Sequence, residues 1–313
     1  MSLLKIHRLT HRYGDTAVLD DLSFSIDRGE LVGLVGANGA GKSTLLRLIA
    51  GLIPVQRGDI STPVEHPRQA LLGYCPQANQ LWPDLTVVEH LRLMARLHGL
   101  PALDDDRLHH LLDQVSLSTQ RHTLAGALSG GMKRRLALAI ALLGAPPLLL
   151  LDEVDAGLDP PGRVELRHLL KRLVARGHAI LLASHRLDEM ERLANRLLIL
   201  HQGKLIADGQ PHQLLEQHQL HTRIRWAFRD PQTTPIDRQH PALTTLKSRF
   251  DTLKTSSASP FRLQVSTTDP LETLQMLTTF SNDHDLTITD LDIAPPSLED
   301  LYLNLTGRVH APS

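Results

Sequence analysis

Cysteine and net charge are both nearly absent from this chain of 313 residues. Cys75 is the single cysteine, so no disulfide can form within the chain, and this fits a reducing compartment. The formal net charge is −1, so no overall electrostatic field favours nucleic acid or anionic lipid. We therefore expect no nucleic-acid partner.

Membrane-spanning segments are absent from the pattern as well. The chain from Met1 to Lys5 onward lacks the apolar core of a signal peptide. The longest apolar stretch, Leu136–Leu151, is interrupted by Gly144 and by Pro146-Pro147, and acids follow it. We expect no part of this chain to cross a membrane, so a membrane-embedded partner would be a separate protein.

Hydrophobic content indicates a globular protein with a core, and the histidines raise the question of a metal site. Hydrophobic residues make up 42% of the chain, enough for a sizeable core, and the length suits about two domains. There are 18 histidines, but they follow no ligand spacing; His109 and His110, for example, are adjacent and would point apart on a helix. Solvated histidines explain this pattern better than a metal site.

The segment from Gly36 to Ser43 matches the pattern of a phosphate-binding loop: Gly, four residues, Gly-Lys and Ser/Thr. Glycines let the backbone approach an anion, Lys42 can reach terminal phosphates, and Ser43 can hold Mg²⁺. The flanks agree, because Glu30–Val35 predicts a buried strand and Thr44–Ala50 a helix that ends at Gly51. The residues expected to contact a bound triphosphate are Gly36, Asn38, Gly39, Gly41, Lys42, Ser43 and Thr44.

A second buried strand is predicted where four leucines precede Asp152 and Glu153. A carboxylate at the C-terminal end of a parallel strand lies where α/β sheets bind ligands, and Asp152 can hold Mg²⁺ there. Glu153 follows immediately and could polarise a water molecule aimed at the terminal phosphate.

Leu128-Ser129-Gly130-Gly131, followed by the basic run Lys133–Arg135, resembles the signature of the ATP-binding subunits of ABC transporters. The resemblance covers about residues 3 to 215. It implies an α/β P-loop NTPase core of the ABC ATPase type with a helical subdomain. It also implies that Ser129, Gly130 and Gly131 bind the ATP held by a second subunit, so that two chains enclose two nucleotides.

The resemblance assigns further roles by matching positions. Tyr13 resembles the aromatic residue that stacks on adenine, and Gln77 the residue that senses Mg²⁺ and links the site to the membrane partner. Asp159 lies in a segment that resembles the loop crossing the dimer seam. His185 resembles the histidine that contacts the terminal phosphate. The implied catalytic set is therefore Glu153, His185 and Lys42, with Ser43, Gln77 and Asp152 around Mg²⁺.

The distribution of nucleotide-binding motifs divides the chain into two segments. Residues 1–215 are predicted to form the nucleotide-binding domain, with its helical subdomain at about 79–144. Residues 222–313 contain no nucleotide motif and predict a small α+β accessory domain, with loops at 230–260. The tail from Pro296 to Leu303 is similar to that of ATPase subunits that serve ABC-2 type exporters.

Val154-Asp155 departs from the family, which usually has Pro and then Thr or Ser after the catalytic acid. Losing the proline is expected to loosen the turn, and the extra carboxylate to disfavour anion binding somewhat. Glu153 is retained, so we expect slow but real turnover.

Taken together, the resemblance implies an ATPase subunit that dimerises, with itself or a related subunit, around two Mg-ATP. It would drive a separate permease at the cytoplasmic face of the inner membrane, and Met132 and the tail favour export. The alternative is a soluble ABC-type ATPase that acts in DNA repair or on ribosomes. Such proteins usually carry a coiled-coil insertion or a second cassette, and neither pattern occurs here. A non-enzymatic binding module is disfavoured by the presence of both Lys42 and Glu153.

Overall fold

The computed structural model describes residues 2–62, 72–78, 81–218, 220–229, 245–246, 253–255 and 262–307. The chain divides into two compact units, Met1–Pro211 and His212–Ser313. In the described part of the chain, no helix combines the length and apolar character needed to span a bilayer.

A six-stranded sheet forms the centre of the first unit. Its strands, in chain order, are β3 (Leu31–Val35), β5 (Leu72–Cys75), β6 (Leu148–Asp152), β7 (Ala179–Ser184), β8 (Arg196–His201) and β9 (Lys204–Gly209). The spatial order is β5-β6-β7-β3-β8-β9; β9 is antiparallel to β8, and the other neighbours are parallel. Every residue of β3, β6 and β7 is buried, as central parallel strands require.

A smaller antiparallel sheet packs in the same unit. It contains β1 (Ser2–Tyr13), β2 (Thr16–Asp27) and β4 (Arg57–Ser61) in the order β2-β1-β4. The sequence Tyr13-Gly14-Asp15 predicts a turn between two strands, and the pairing of Tyr13 with Thr16 confirms it. Leucine and isoleucine side chains from both sheets and from the first helix share one core, so the small sheet helps to fix the segment around the glycine loop.

The helices of the first unit are α1 (Lys42–Ile49), α2 (Val87–Leu97), α3 (Asp105–Gln114), α4 (Gly130–Ala141), α5 (Pro160–Ala175) and α6 (Leu187–Leu193). The next helix, α7 (Pro211–Gln217), begins at the last residue of the first unit and continues into the second. The sequence Thr86-Val87-Val88-Glu89 has the spacing of a capping box, and the structure confirms it, because Thr86 and Glu89 bond reciprocally to each other's backbone N–H. The sequence also predicts a helix from about Leu103 to Val115, which corresponds to α3. The amphipathic pattern from Arg163 to Arg176 predicts a further helix, which begins earlier as α5 because Asp159 caps it and Pro160 occupies its first position.

The second unit contains an antiparallel sheet with two described helices. Its strands are β10 (Thr222–Arg229), β11 (Lys254–Thr255), β12 (Leu263–Thr267) and β13 (Thr287–Ala294), in the order β11-β12-β10-β13. The helices are α8 (Pro270–Asp283) and α9 (Leu298–Thr306), and Ser297 caps α9 as its sequence predicts. Buried aromatic residues, including Trp226, Phe228 and Phe280, fill its core. Most of the loop region predicted at 230–260 lies outside the described residues.

Candidate functional site

The glycine loop joins β3 to α1, and two of its glycines are required by their surroundings. A Cβ on Gly36 would lie 2.3 Å from the backbone oxygen of Leu200. Gly41 has φ of 107°, and a Cβ there would lie 2.7 Å from the backbone oxygen of Val18. Only glycine fits both positions, so the loop can press closely against β2 and β8.

Lys42 is buried at the start of α1, and its ammonium group folds over the loop. Nζ donates hydrogen bonds to the carbonyl oxygens of Gly36 (2.8 Å) and Ala37 (3.1 Å). It also lies 4.0 Å from Oε1 of Glu153. Burial lowers the pKa of Lys42, and the nearby carboxylates of Glu153 and Asp152 oppose that shift. The site therefore holds a desolvated cation in the position where a phosphate would compensate its charge.

Asp152 ends β6 and is only 1% exposed. The Ser43 hydroxyl donates a hydrogen bond to its carboxylate, whereas Oδ1 has no hydrogen-bond partner among the described residues. Burial raises the pKa of Asp152, and the Ser43 hydrogen bond opposes this shift. A buried carboxylate oxygen without a donor, next to a serine hydroxyl, is a donor set suited to Mg²⁺, which prefers oxygen ligands.

Glu153 follows Asp152 in the left-handed backbone region, with φ of 48°. Its N–H donates to the carbonyl oxygen of Ala183 (3.0 Å), which ties the residue to β7. The Gln77 amide donates to Oε2 of Glu153 (2.8 Å), and Nδ1 of His185 lies 3.3 Å from Oε1. The carboxylate is therefore held between two polar side chains, with its oxygens directed at the same space as Lys42.

The topology explains why these side chains meet. Gln77 follows β5, Asp152 ends β6, His185 follows β7, and the glycine loop follows β3. Strands β5, β6, β7 and β3 are consecutive parallel neighbours, so their C-terminal ends lie along one edge of the sheet. The structure thus brings together the predicted catalytic residues and the predicted metal ligands.

Tyr13 lies at the end of β1 with half of its surface exposed (51%). Its ring meets that of His11 edge to face, with centroids 4.9 Å apart. The strand that pairs with it, β2, contacts the glycine loop at Gly41 through Val18. An oriented, exposed ring on the hairpin beside the loop meets the requirement for stacking on a base.

The signature residues lie on the surface at the start of α4. Ser129 is exposed and caps the helix, accepting a hydrogen bond from the N–H of Met132 (3.3 Å). A Cβ on Gly130 would meet no atom within 4 Å. Asp159, also exposed, caps α5 through the N–H of Gly162 (3.0 Å). Among the described residues, no hydrogen bond joins this group to Lys42 or Glu153.

A cleft of about 740 Å³ opens beside these exposed residues. It lies between α4 and α5, and Ser129, Gly131, Leu158 and Asp159 form part of its lining. The chain therefore presents a concave surface at the signature, and this surface extends to Arg134 and Val154.

The sequence interpretation missed Arg134, which is 5% exposed in the middle of α4. The sequence shows Arg134 only as part of the basic run Lys133–Arg135. Its position just before a run of alanines and leucines indicates that it is buried, and a buried cation needs several hydrogen-bond acceptors. The structure supplies them from the segments that carry Gln77 and Glu153.

The turn after Glu153 packs into the interior of the first unit. Val154 is fully buried, and its carbonyl oxygen accepts a hydrogen bond from Nε of Arg134 (3.2 Å). The loosening expected from the lack of proline stays a prediction. Asp155 is partly exposed, and its Oδ2 accepts a hydrogen bond from the Ser184 hydroxyl (3.4 Å).

Comparisons with known proteins find a matching family model and relatives with similar sequences. Residues 19–156 match the family model described as "ABC transporter". The chain is 35% identical to a Nod factor export ATP-binding protein I of Ralstonia nicotianae, over 98% of this chain and 94% of the relative. It is 36% identical to the protein of the same name from Bradyrhizobium diazoefficiens, over 95% of this chain and 94% of the relative.

Solved structures resemble the first unit. An ATP-binding subunit of an ABC transporter matches with 35% identity and a TM-score of 0.62, over 69% of this chain and 93% of that chain. The cbiO1 protein of Clostridium perfringens, part of the ABC transporter complex cbiONQ, matches with 27% identity and a TM-score of 0.62, over 69% of this chain and 92% of that chain.

Proposed function

Because this chain belongs to the family of ABC transporter ATP-binding proteins, we propose that it is the ATP-hydrolysing subunit of an exporter and drives a separate membrane permease. The observation that carries this proposal is the convergence of Lys42, Asp152, Glu153 and His185 on one edge of the sheet. The relatives are named for Nod factor export, and only export is carried over to this chain. We assign the choice of cargo to the permease.

Nucleotide binding follows from the glycine loop and Lys42. The triphosphate replaces the carbonyl oxygens of Gly36 and Ala37 as the partner of Nζ and compensates a cation that burial has desolvated. The backbone N–H groups of the loop and the N-terminus of α1 point at the same anion. Tyr13 supports the adenine by stacking.

Magnesium fits the residues beside the loop. Asp152 provides a buried oxygen without a hydrogen-bond partner among the described residues, and Ser43 provides a hydroxyl. The Nε2 group of Gln77 donates to Glu153, so the side-chain oxygen Oε1 of Gln77 is the atom that could coordinate Mg²⁺. When bound, Mg²⁺ would neutralise charge on the β- and γ-phosphate oxygens.

Hydrolysis is assigned to Glu153 acting on a water molecule. Gln77 fixes one oxygen of its carboxylate, and the other faces Lys42 and His185. Glu153 orients the water or accepts its proton, while Lys42 and His185 stabilise the charge that spreads over the phosphate oxygens.

The exposed signature residues are the basis for proposing a dimer. Ser129, Gly130 and Gly131 at the N-terminus of α4 would bind the terminal phosphate of the nucleotide held by a second chain. Asp159 lies beside the same cleft and would cross the seam. The second chain is another copy or a related subunit, and the complex would sit at the cytoplasmic face of the membrane.

Residues 222–313 are proposed as an accessory domain appended to the nucleotide-binding domain of residues 1–215. It contains its own buried aromatic core, and none of the nucleotide motifs falls in it. Its role is to steady the dimer or to adjust turnover. Deleting residues 222–313 and measuring dimerisation together with the ATPase rate distinguishes these roles from that of a passive cap.

Substituting Gly130 with Asp tests the dimer without disturbing the chain's own site. The position is open, so the fold should tolerate the side chain, but its charge would repel a partner-bound phosphate. We expect wild-type affinity for ATP at the glycine loop and loss of both hydrolysis and ATP-dependent dimerisation. Gly130→Ala is the control for the fold, because it places an uncharged side chain in the same open space. Unchanged hydrolysis by Gly130→Asp would exclude the shared site.

The export proposal needs a test with the membrane partner. A six-span membrane protein encoded beside this chain should co-purify with it from detergent, and the complex should hydrolyse ATP faster than the isolated chain. Failure to associate with any such protein would contradict the coupling to a permease and favour an ATPase that acts alone.

A further inference from the structure

Arg134 lies in the interior of the first unit, although its helix begins at the exposed signature residues. It is 5% exposed, and α4 carries it from the surface at Ser129 to the segments that follow β5 and β6. Its guanidinium group therefore connects parts of the chain that are distant in sequence.

One arm of the guanidinium group binds the segment that carries Gln77. Nη1 donates to the carbonyl oxygen of Pro76 (2.9 Å) and to that of Gln77 (2.9 Å). These bonds fix the backbone of Gln77. They therefore also fix the point from which its side chain reaches Glu153.

The other arm binds the segment that carries the proposed base. Nη2 donates to the carbonyl oxygen of Glu153 (2.6 Å), and Nε donates to that of Val154 (3.2 Å). Glu153 has φ of 48°, a conformation that a non-glycine residue keeps only when its surroundings enforce it. Arg134 provides part of that enforcement.

The two arms and the Gln77–Glu153 hydrogen bond close a ring of contacts. Arg134 holds both backbones, and the side chains of those same residues meet at 2.8 Å. A planar guanidinium group presents five N–H donors in a fixed fork, whereas the ammonium group of lysine presents its three donors from a single atom. Only an arginine can therefore hold these two segments from separate nitrogen atoms.

We propose that Arg134 is a positioning residue. It holds Gln77 and Glu153 at a fixed position relative to each other and couples them to the signature residues at the start of α4. This inference rests on the proposed function, because it assigns to Arg134 an effect exerted through the base of ATP hydrolysis. When the start of α4 binds a partner's nucleotide, a shift of the helix reaches Glu153 through this guanidinium group.

Arg134→Gln and Arg134→Lys, in the full chain with its membrane partner, test the proposal. We expect kcat to fall about 10- to 100-fold for Arg134→Gln, the scale of a misplacement of about 1 Å, with an intermediate fall for Arg134→Lys. The dissociation constant for ATP should stay within about threefold, because the four hydrogen bonds of Arg134 described above go to carbonyl oxygens outside the glycine loop. Equal losses of affinity and turnover would overturn the assignment.

A double-mutant comparison identifies the residue through which Arg134 acts. In the Glu153→Gln background, Arg134→Gln should reduce single-turnover hydrolysis little further, because the group it positions has already been removed. If the two losses multiply instead, Arg134 does not act through Glu153 and the proposal is wrong.

Arg196→Gln is the matched control for losing a partly buried arginine. Arg196 binds Asp208 and the carbonyl oxygen of Ser25, away from the carboxylate cluster. The Arg196→Gln variant should have a lower melting temperature but an unchanged kcat per folded complex. An inactive wild-type complex would refute the proposed function itself, whereas an active wild type with undiminished kcat in both Arg134 variants would refute only this inference.

Discussion

The side-chain amide of Gln77 donates a hydrogen bond of 2.8 Å to the carboxylate of Glu153. The two residues are 76 positions apart, and the pairing of β5 with β6 brings them together. Gln77 fixes one oxygen of the acid and leaves the other toward Lys42 and His185. The site thus holds an oriented carboxylate beside a buried cation, an arrangement suited to activating water next to a phosphate.

Glu153→Gln tests whether this carboxylate is the base. Glutamine retains the shape and can still accept the Gln77 hydrogen bond, but it cannot accept a proton from water. We expect kcat to fall by about 100-fold or more, with ATP retained and the dimer held closed. Steady-state hydrolysis and size-exclusion chromatography with ATP measure both effects. Turnover at the wild-type rate would remove Glu153 from this role.

The buried ammonium group of Lys42 predicts a pH dependence of binding. Its pKa lies below the ordinary value of 10.5, mainly because of burial, so the folded chain holds this proton less tightly than the unfolded chain does. The positive charge therefore costs stability below the folded pKa, and that cost disappears as the pH rises past 10.5. A bound triphosphate raises the pKa again and favours proton uptake.

ATP affinity should consequently weaken as the pH rises from about 8 toward the lowered pKa, where free ATP no longer changes its own charge. Titration calorimetry in buffers of different ionisation enthalpy measures both the affinity and the proton uptake. Lys42→Met should bind ATP weakly at every pH in this range. A wild-type affinity that does not change with pH would contradict the assigned role of the lysine.

Asp152→Asn should stabilise the nucleotide-free chain while removing its response to magnesium. Burial raises the pKa of Asp152, so the ionised form is penalised in the folded state, and this penalty is present above the folded pKa. Removing the charge should raise the melting temperature at neutral pH, by about 2–4 °C for each kcal/mol regained.

Differential scanning fluorimetry measures both effects: the melting temperature of the nucleotide-free variant, and the shift of that temperature when Mg-ATP is added. Asp59→Asn, at an exposed position of β4, is the control and should leave the melting temperature unchanged. If Asp152→Asn kept a wild-type shift with Mg-ATP, the carboxylate would not be a magnesium ligand.

Asp155→Thr tests the cost of the additional carboxylate near the site. Asp155 is partly exposed, so its repulsion of phosphate is screened, and we expect a gain of about two- to fivefold in ATP affinity or kcat. Asp59→Thr is the matched control at a position away from the site. If Asp155→Thr changes neither hydrolysis rate nor affinity, this carboxylate has no influence on the reaction.

Local patterns indicated residues that the structure brings together, because each motif occupies one strand end. The glycine loop, the acids after four leucines and the histidine after Ala183-Ser184 each follow a buried strand, and parallel strands align such ends at one edge. The strand predicted at Glu30–Val35 is Leu31–Val35, and the helix predicted from Thr44 begins at Lys42. Such boundary shifts are small because the glycine loop fixes both neighbours.

Contacts between distant segments could not be predicted from the chain alone. No periodicity indicates that Gly36 presses against the backbone of Leu200, or that Arg134 reaches the carbonyl oxygens of Gln77 and Glu153. The burial of Val154 and its hydrogen bond with Arg134 are likewise tertiary contacts. Local motifs therefore indicate the charged residues at the strand ends but not the arginine that bonds to the backbone beside them.

The most direct test of the account is calorimetric titration of the purified chain with ATP, in the presence of Mg²⁺ and of a chelator. We predict binding at least about tenfold tighter with Mg²⁺, equivalent to about 1.4 kcal/mol, and loss of measurable binding in Lys42→Ala. If neither the wild-type chain nor its complex with the membrane partner shows magnesium-dependent affinity for adenosine nucleotides, the account is contradicted.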